Sequence, residues 1–342
     1  PFVSFANCGL PYYVSGEITN RDSLLVQTPE SLKARFNLDV RPFHEVVQIS
    51  PENHTVTVRH DGQEFTESYD KLILSPGAKP FVPAIEGLAE AKNVFTLRNV
   101  PDLDNIMASL EDNPQEAVVI GAGFIGLEMA ENLAKRGLHV TIVEKAPHVL
   151  PPLDQEMAAF VQAELVKNSV RVITSQSATR FEEQGKIIVL ENGQKITSDL
   201  TILSVGVEPE NGLAKAAGIE LGIRGGILVD KNYETNHKDI FAVGDAIIVK
   251  QEITGQDALI SLASPANRQG RQVADVIAGM ERKNKGSIGT AIVRAFGISA
   301  ASTGLSERTL RDNQLPYKAI HVSGKDHAGY YPGATDMTLK LL

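Results

Sequence analysis

Residues 117–126 read AVVIGAGFIG, in which four apolar residues lead directly into three spaced glycines. A helical stretch, residues 127–135, follows the glycines, and a second apolar run, VTIV at residues 140–143, follows the helix. This order of strand, glycine-rich turn, helix and strand is typical of a dinucleotide-binding unit in a parallel sheet with a right-handed crossover. The sequence therefore predicts an α/β fold with a nucleotide site at this turn.

Each glycine of the turn has its own expected role. Gly121 makes the tight turn, Gly123 lets the backbone approach a pyrophosphate, and Gly126 allows the helix to pack closely on the strand. The unpaired N–H groups at the start of the helix favour the negative charge of the pyrophosphate. The residues expected to contact the nucleotide here are Gly121, Gly123, Phe124, Ile125 and Gly126.

The second strand ends at an acidic residue, Glu144. In dinucleotide-binding units, a carboxylate at this place accepts hydrogen bonds from the ribose hydroxyls of the adenosine. It would repel the additional 2′-phosphate of NADPH, whereas the neighbouring Lys145 would attract that phosphate. We therefore expect NADH as the cofactor, with NADPH possible.

The composition is that of a globular protein of 342 residues, enough for two or three domains. There are 33 basic and 42 acidic residues, a net charge of -9, and no basic run that could follow a nucleic-acid backbone. The apolar stretches are too short for a membrane span, and no charged-then-apolar leader precedes them. The 8 histidines lack the spacing of metal ligands. We therefore expect no nucleic acid, no membrane and no metal.

The chain has a single cysteine, Cys8, within the run SFANCGLPYY at residues 4–13. One cysteine cannot form an internal disulfide, which agrees with the reducing environment of the cytoplasm. A lone cysteine is often a small buried hydrophobic residue. Here Gly9 and Pro11 favour a turn with an exposed thiol, and a nucleotide site on the same chain indicates redox chemistry.

Two further turns are candidate cofactor contacts. The run DIFAVGD at residues 239–245 ends a strand with Gly244 and Asp245, where a carboxylate can bind a sugar hydroxyl. A short apolar strand, residues 71–74, leads into the turn SPG at residues 75–77, whose glycine allows the backbone to approach a ligand closely. A Gly-Asp pair is also a common turn in proteins without a cofactor.

Taken together, these motifs resemble the pyridine nucleotide-disulfide oxidoreductases, a family of flavoproteins. The runs at residues 4–13, 264–271 (SPANRQGR) and 327–334 (HAGYYPGA) are most similar to its coenzyme A-disulfide reductases and NADH-dependent persulfide reductases. The resemblance covers essentially the whole chain. It implies an α/β flavoprotein with two dinucleotide-binding domains, an FAD domain with an inserted Rossmann-like NADH domain, followed by an α+β dimerisation domain.

The resemblance also implies boundaries for these domains. They are residues 1–114 and 235–284 for the two parts of the FAD domain, 115–234 for the NAD(P)H domain, and 285–342 for the start of the dimerisation domain. In the family, a strand, a second glycine-rich turn and a helix that hold the FAD pyrophosphate precede the cysteine motif. We therefore interpret the chain as a fragment of a homodimeric protein, some relatives of which carry a C-terminal rhodanese domain.

The resemblance assigns roles to single residues as well. Asp245 would bind the ribityl chain of FAD, and residues 75–77 would form a second FAD contact. One of Tyr330 and Tyr331 would donate a proton to the departing thiolate across the dimer interface, and ordinary packing tyrosines are the alternative. The cofactor contacts implied outside the first turn are Ser75, Pro76, Gly77, Glu144, Gly206, Gly244 and Asp245. The residues expected to face substrate are Ser4, Asn7 and Asn267.

The expected activity is the FAD-dependent, NADH-driven reduction of coenzyme A disulfide or coenzyme A persulfide. Because the chain has no second cysteine, Cys8 would form a mixed disulfide with coenzyme A, a persulfide or a sulfenic acid. Its thiolate would require a pKa below the ordinary value of about 8.5. The alternatives are an NADH oxidase or peroxidase that cycles through a sulfenic acid, and a non-catalytic redox sensor that binds NADH.

Overall fold

The computed structural model describes residues 2–342. Eight helices run through this part of the chain: α1 (Leu10–Val14), α2 (Pro29–Phe36), α3 (Val100–Leu110), α4 (Phe124–Lys135), α5 (Gln155–Lys167), α6 (Gly212–Ala216), α7 (Ala263–Ile277) and α8 (Glu307–Asp312). The strands of its first half are β1 (Ser4–Phe5), β2 (Leu25–Gln27), β3 (Glu45–Ser50), β4 (Thr55–His60), β5 (Gln63–Ser68), β6 (Leu72–Leu74), β7 (Ala78–Pro80), β8 (Val94–Phe95), β9 (Glu116–Ile120), β10 (His139–Val143) and β11 (Arg171–Ile173). Those of its second half are β12 (Ala178–Glu182), β13 (Ile187–Leu190), β14 (Lys195–Thr197), β15 (Leu200–Leu203), β16 (Val207–Pro209), β17 (Ile240–Ala242), β18 (Val249–Lys250), β19 (Asp257–Ala258), β20 (Thr290–Ala295), β21 (Ile298–Thr303), β22 (Ile320–Lys325) and β23 (Asp336–Leu341).

A five-stranded parallel sheet in the order β11-β10-β9-β15-β8 forms the centre of the molecule. Helix α4 connects β9 to its neighbour β10, which confirms the predicted strand–helix–strand unit and the α/β fold class. The edge strand β8 comes from residues 94–95, ahead of the expected domain boundary at residue 115. That boundary stays a prediction.

Both faces of this sheet are covered. Helices α1, α3 and α4 pack on one face, in a core that includes Leu10, Leu103 and Leu127. The antiparallel sheet β12-β13-β14 covers the other face, where Phe181 and Ile188 meet the apolar side chains of β9. This sandwich leaves the carboxyl ends of the parallel strands as the place for a ligand.

A second core joins two segments that are far apart in the sequence. Strand β6 pairs in parallel with β17, and the three-stranded sheet β3-β4-β5 and helices α6 and α7 pack around them. The turn Asp61-Gly62 connects β4 and β5, and both residues have positive φ, 49° and 76°. The chain thus returns to its first unit after completing the central sheet, as expected for an inserted domain.

After α7 the chain forms two hairpins, with the short helix α8 between them. The first, β20–β21, packs on α4 and α5 through Val293 and Ala295, which belong to the same core as the central sheet. The second, β22–β23, is exposed along nearly its whole length, with Val322 55% and Leu341 67% exposed. None of the helices found in residues 2–342 is both long and apolar enough to cross a membrane.

Candidate active site

Cys8 lies in a 3-10 turn, Asn7–Gly9, directly before helix α1. Both Asn7 and Cys8 are exposed, whereas Leu10 and Val14 of α1 are fully buried and hold the helix in the core. A side chain at Gly9 would come within 2.9 Å of the Leu24 side chain, so glycine lets the turn sit closely on its neighbour. The structure therefore agrees with an exposed thiol and not with a buried hydrophobic cysteine.

The protein surroundings of Cys8 differ from the expectation of a lowered thiol pKa. Partial burial, followed by the negative charge of Glu128 in α4, raises the pKa of the Cys8 thiol, and only its own backbone N–H acts in the opposite direction. Because the residue is exposed to solvent, the contribution of burial is the weaker argument and the charge of Glu128 the more instructive one. No group in the sequence motif revealed this opposing charge.

The glycine-rich turn, the predicted pyrophosphate contact, is closely packed at two of its glycines and open at the third. A side chain at Gly121, where φ is 102°, would overlap the carbonyl oxygen of Ser204, and one at Gly126 would overlap that of Gly121. A side chain at Gly123, by contrast, would meet no described atom within 4 Å. Gly123 is the N-cap of the 12-residue helix α4 and no described side chain caps it, so the first N–H groups of the helix keep no side-chain partner among the described residues. Phe124 and Ile125 begin this helix, and Ile125 is exposed.

Glu144 is almost completely buried, and its carboxylate binds the backbone of the nucleotide turn. Ala122 N–H donates to Oε2 at 2.6 Å, and Ala146 N–H donates to Oε1 at 2.7 Å. Sequence reasoning placed this residue correctly at the strand end but missed its bonds to the backbone. Each oxygen keeps a lone pair, so a contact with ribose stays a prediction. Gly206, with φ of 118°, lies at the neighbouring end of β15.

The two predicted FAD turns lie side by side. Because β6 and β17 are parallel neighbours, the turns that follow them meet at one edge, and they line a cavity of about 420 Å³. Pro76 lies in the first of these turns and is exposed. The residues of the two turns that line the cavity are Ser75, Gly77, Gly244 and Asp245, and Gly270 of α7 closes one side.

Two residues that sequence reasoning missed fix these turns. Arg98 pairs with Asp245 at 3.3 Å, and its Nη2 lies 3.1 Å from where a side chain at Gly77 would begin. Gln269, a buried residue of α7, accepts a hydrogen bond from Gly244 N–H at 2.7 Å. Arg98 immediately precedes the N-cap of α3, where a cation is unfavourable for the helix dipole, and this signal could have revealed it.

The expected substrate-side residues lie in three different elements, with Asn7 beside Cys8 in its turn. Ser4 lies in β1, and Asn267 is exposed on α7, three residues before Gly270 and so on the same helix face. Tyr330 and Tyr331 lie at the tip of the β22–β23 hairpin, 84% and 59% exposed, with their ring centroids 4.9 Å apart. The contacts found for these tyrosines in residues 2–342 are with each other and with neighbouring residues of the tip.

A cluster of charged side chains lies beneath the cysteine helix. The Tyr12 hydroxyl donates to Glu128 Oε1 at 3.4 Å, and the Arg294 guanidinium, from β20, lies 4.8 Å from the centre of the Tyr12 ring. Arg294 also pairs with Glu17 at 2.7 Å. The fully buried Glu131, one turn after Glu128, pairs with Lys135 at 2.6 Å. We call these six residues, Tyr12, Glu17, Glu128, Glu131, Lys135 and Arg294, the α4 charge cluster.

Burial is the main cause of the raised pKa values of two residues in this cluster, Glu128 and Tyr12. It raises the pKa of Glu128 to about 7, with a further increase from the charge of Glu131, while the Tyr12 hydrogen bond and Arg294 lower it. Burial and then the charge of Glu128 raise the pKa of Tyr12 to about 12. Sequence reasoning missed these residues, although two glutamates on the buried face of an otherwise apolar helix were a signal.

A second acidic group, at the start of α5 and α8, already has a cation. Oxygen atoms of Asp154, Glu156 and Glu307 lie within 4.8 Å of one another. The buried Lys340 ammonium of β23 pairs with all three carboxylates, at 2.9 Å in the case of Asp154. Burial lowers the pKa of Lys340, but hydrogen bonds to Glu156 and Glu307 outweigh this effect, so the pKa is raised. This group therefore anchors the β22–β23 hairpin.

Comparison with known proteins gives one consistent family. The profile of the pyridine nucleotide-disulphide oxidoreductases matches residues 3–270. An NADH oxidase of Methanocaldococcus jannaschii is 34% identical, and a coenzyme A disulfide reductase of Staphylococcus aureus 36% identical, each over 99% of this chain and 76% of the relative. The crystal structure of reduced Bacillus anthracis CoADR-RHD superposes with a TM-score of 0.98 at 48% identity. That match covers 99% of this chain but only 62% of the Bacillus chain.

Proposed function

The chain belongs to the pyridine nucleotide-disulphide oxidoreductase family, and we propose that it uses NADH to reduce coenzyme A disulfide or coenzyme A persulfide through Cys8. The observation that carries the proposal is the exposed Cys8 turn, which holds the single thiol of the chain in the sequence context of the coenzyme A disulfide reductases. Family membership makes the chain an oxidoreductase and implies FAD and NAD(P)H as its cofactors.

The residues present fit both cofactors. The uncapped start of α4 and the open space at Gly123 suit the pyrophosphate of NADH, and Gly121 and Gly126 permit the close packing that this turn needs. The cavity between the two strand ends suits part of FAD, with Asp245 as the acceptor for sugar hydroxyls. When bound, FAD supplies a two-electron relay between the nicotinamide and the sulfur of Cys8.

In this proposal the residues of the chain bind and orient the cofactors and carry the sulfur chemistry. Glu144 holds the nucleotide turn through Ala122 and Ala146, and its negative charge favours NADH over NADPH. Arg98 and Gln269 hold Asp245 and Gly244 in place. The Cys8 thiolate attacks a disulfide and releases one thiol, and reduction of the resulting mixed disulfide releases the second. Overall, NADH and one proton convert one disulfide into two thiols.

The assembly of the protein is part of the same proposal. The ranges given above, 1–114 with 235–284, 115–234 and 285–342, are the proposed FAD, NADH and dimerisation domains. In a homodimer, the exposed Tyr330 or Tyr331 of one protomer would donate a proton to the departing thiolate across the dimer interface, since neither contacts Cys8 in its own chain within residues 2–342. Ser4, Asn7 and Asn267 would face the substrate. That the protein acts in the cytoplasm, and that it binds neither nucleic acid nor metal, stay predictions.

An NADH oxidase or peroxidase is the second candidate, because a relative at 34% identity is named NADH oxidase. In this case Cys8 would cycle between thiolate and sulfenic acid. A coenzyme A disulfide reductase is 36% identical with the same coverage, so sequence identity alone does not distinguish a reductase from an oxidase. A non-catalytic sensor is disfavoured by the membership in an oxidoreductase family.

The test is a parallel measurement of NADH consumption by the full-length protein with coenzyme A disulfide, coenzyme A persulfide, hydrogen peroxide and oxygen. The proposal predicts the highest kcat/KM with one of the coenzyme A substrates, and a coenzyme A adduct on Cys8 by mass spectrometry of the oxidised enzyme. A preference for peroxide or oxygen, together with a sulfenic acid on Cys8, would establish the second candidate instead.

A further inference from the structure

The tip of the β22–β23 hairpin is a long loop that carries two side chains of the proposed function. It spans residues 326–335, whereas most hairpin loops have about 2–5 residues. The loop contains two glycines, which give its backbone additional freedom, and it carries Tyr330 and Tyr331, one of which is the proposed proton donor. A loop of this length holds a side chain in one place only if further contacts restrict its backbone.

One carboxylate closes this loop. Thr335 donates to Asp326 twice, from its backbone N–H to Oδ1 at 2.9 Å and from its hydroxyl to Oδ2 at 3.1 Å. The backbone N–H of Asp326 donates in turn to the Thr335 carbonyl oxygen at 3.0 Å. Three hydrogen bonds thus join the first and last residues of the loop. We call this pair, Asp326 and Thr335, the tip clasp.

A chain of contacts leads from the tip clasp to the tyrosines. Oδ1 of Asp326 also accepts the backbone N–H of His327 at 2.9 Å, and it lies 3.0 Å from the Nδ1 atom of the same residue. The ring centroid of His327 is 6.3 Å from that of Tyr331, whose ring is 4.9 Å from that of Tyr330. The Tyr331 N–H donates to the Ala328 carbonyl oxygen at 3.0 Å. The Asp326 carboxylate therefore fixes the segment that leads into the tyrosine pair.

The base of the hairpin is held independently of its tip. The Lys340 side chain of β23 is only 5% exposed and pairs with the three carboxylates at the start of α5 and α8. Six residue pairs, from Ile320–Leu341 to Lys325–Asp336, connect this anchor to the loop. The strands thus bring the loop to a fixed place, and contacts within the loop determine where its side chains stand.

We propose that Asp326 is a positioning residue for the Tyr330–Tyr331 pair: its carboxylate closes the loop and so sets the place of the donating phenol relative to the departing thiolate. Asp326 acts through Thr335 and His327 and does not itself contact substrate. The inference rests on the proposed function, which makes one of the two tyrosines a proton donor.

Asp326 is an acceptor at every pH near neutrality. The hydrogen bond from the Thr335 N–H lowers the pKa of the Asp326 carboxyl below its ordinary value, and burial acts in the opposite direction. A carboxyl group with a lowered pKa is ionised at neutral pH, so that both of its oxygens accept hydrogen bonds there. The variants must therefore separate the geometry of the tip clasp from its negative charge.

The experiment compares two half-reactions in the full-length protein by stopped-flow absorbance. These are flavin reduction by NADH and reoxidation of the reduced enzyme by the better of the two coenzyme A substrates. Asp326→Ala removes the side-chain acceptors of the tip clasp, and reoxidation should slow about tenfold, since a misplacement of about 1 Å can cost up to about 100-fold. Flavin reduction should keep its wild-type rate. Asp326→Asn keeps one oxygen in the same place and should retain most of the wild-type reoxidation rate.

Asp336→Asn is the matched control for charge. Asp336 directly follows the loop, its side chain is 89% exposed, and it pairs with Lys325 at 2.6 Å between the two strands. The variant removes a negative charge from the same end of the hairpin and leaves the tip clasp in place, so reoxidation should match the wild type. A comparable slowing in Asp336→Asn and Asp326→Ala would overturn the proposal, because the charge of the hairpin would then explain both.

A double-mutant cycle separates positioning from a general structural effect. In the background Tyr330→Phe with Tyr331→Phe no phenol is left to position, so that Asp326→Ala should slow reoxidation no further. Equal losses from Asp326→Ala in this background and in the wild type would also overturn the proposal, because Asp326 would then act through something other than the tyrosines.

The same measurements distinguish this inference from the proposed function. A wild-type protein that reduces neither coenzyme A disulfide nor coenzyme A persulfide would refute the proposed function and, with it, the role of Asp326. A wild-type protein that reduces one of them, together with an Asp326→Ala variant that is reoxidised at the wild-type rate, would leave the proposed function standing and remove only the positioning role.

Discussion

The nucleotide turn and the cysteine region are built in different ways. Most of the nucleotide turn comes from one stretch of about 30 residues, from β9 to Ala146, whose parts bind one another through the backbone, and Ser204, farther along the chain, packs against Gly121. The proposed cysteine and flavin site would draw on Cys8, the turns after β6 and β17, Arg98, and tyrosines on an exposed hairpin. A site from one continuous unit is determined by local spacing, whereas a dispersed site depends on how distant segments are brought together.

The largest expected effect separates the two regions chemically. Cys8→Ser in the full-length enzyme should abolish reduction of the coenzyme A disulfide or persulfide, because a hydroxyl cannot form a mixed disulfide and the chain has no other cysteine. Flavin reduction by NADH, followed by stopped-flow absorbance, should be almost unchanged and serves as the internal control. Normal disulfide turnover in this variant would remove Cys8 from the mechanism.

The next effect tests the nucleotide turn with two glycines of the same motif. Gly126→Ala places a methyl group against the Gly121 carbonyl and 2.8 Å from Ser204 Oγ, and we expect a loss of about 1–3 kcal/mol of unfolding free energy in thermal denaturation. Gly123→Ala meets no described atom within 4 Å, so its stability should match the wild type while NADH affinity falls about tenfold, or about 1.4 kcal/mol. Equal stability of the two variants would contradict this division of roles.

Glu144→Ala tests the support of the nucleotide turn, because it removes both a charge and two hydrogen bonds from backbone N–H groups. We expect the kcat/KM preference for NADH over NADPH to relax by about one to two decades, at about 1.4 kcal/mol per decade. Both cofactors should also bind more weakly, since the turn loses its support. Glu144→Gln is the matched control, because its amide removes the charge and keeps one acceptor. An unchanged ratio in both variants would exclude Glu144 from cofactor selection.

The smallest expected effect lies in the flavin cavity. Arg98→Gln leaves Asp245 without its cation, and we expect FAD affinity, measured by fluorescence titration of the full-length apoprotein, to fall about threefold to tenfold. Lys79→Gln makes the same change of charge at an exposed pair 3.6 Å from Glu208 and should leave FAD binding as it is. A similar loss in both variants would mean that general electrostatics, and not the Asp245 pair, had been measured.

The same contrast explains how much the sequence predicted. The strand, the glycines, α4 and Glu144 were all predicted, because local spacing determines them, and the exposed Cys8 turn followed from the glycine and proline beside it. Arg98, Gln269 and the α4 charge cluster were missed. Arg98 pairs with Asp245, Gln269 binds Gly244, and the cluster joins the region of α1 to α4 and β20, so only the folded chain brings these groups together.

The packing of Val293 and Ala295 into the core of the central sheet has a consequence for how the molecule melts. Leu10 near the cysteine, Leu127 of α4 and these two residues of β20 share one apolar core, although they lie in three different proposed domains. Regions that share a core lose their apolar contacts together, so division by function does not imply division into separate folding units. Heat should therefore unfold the cysteine helix, the nucleotide turn and β20 in one cooperative transition.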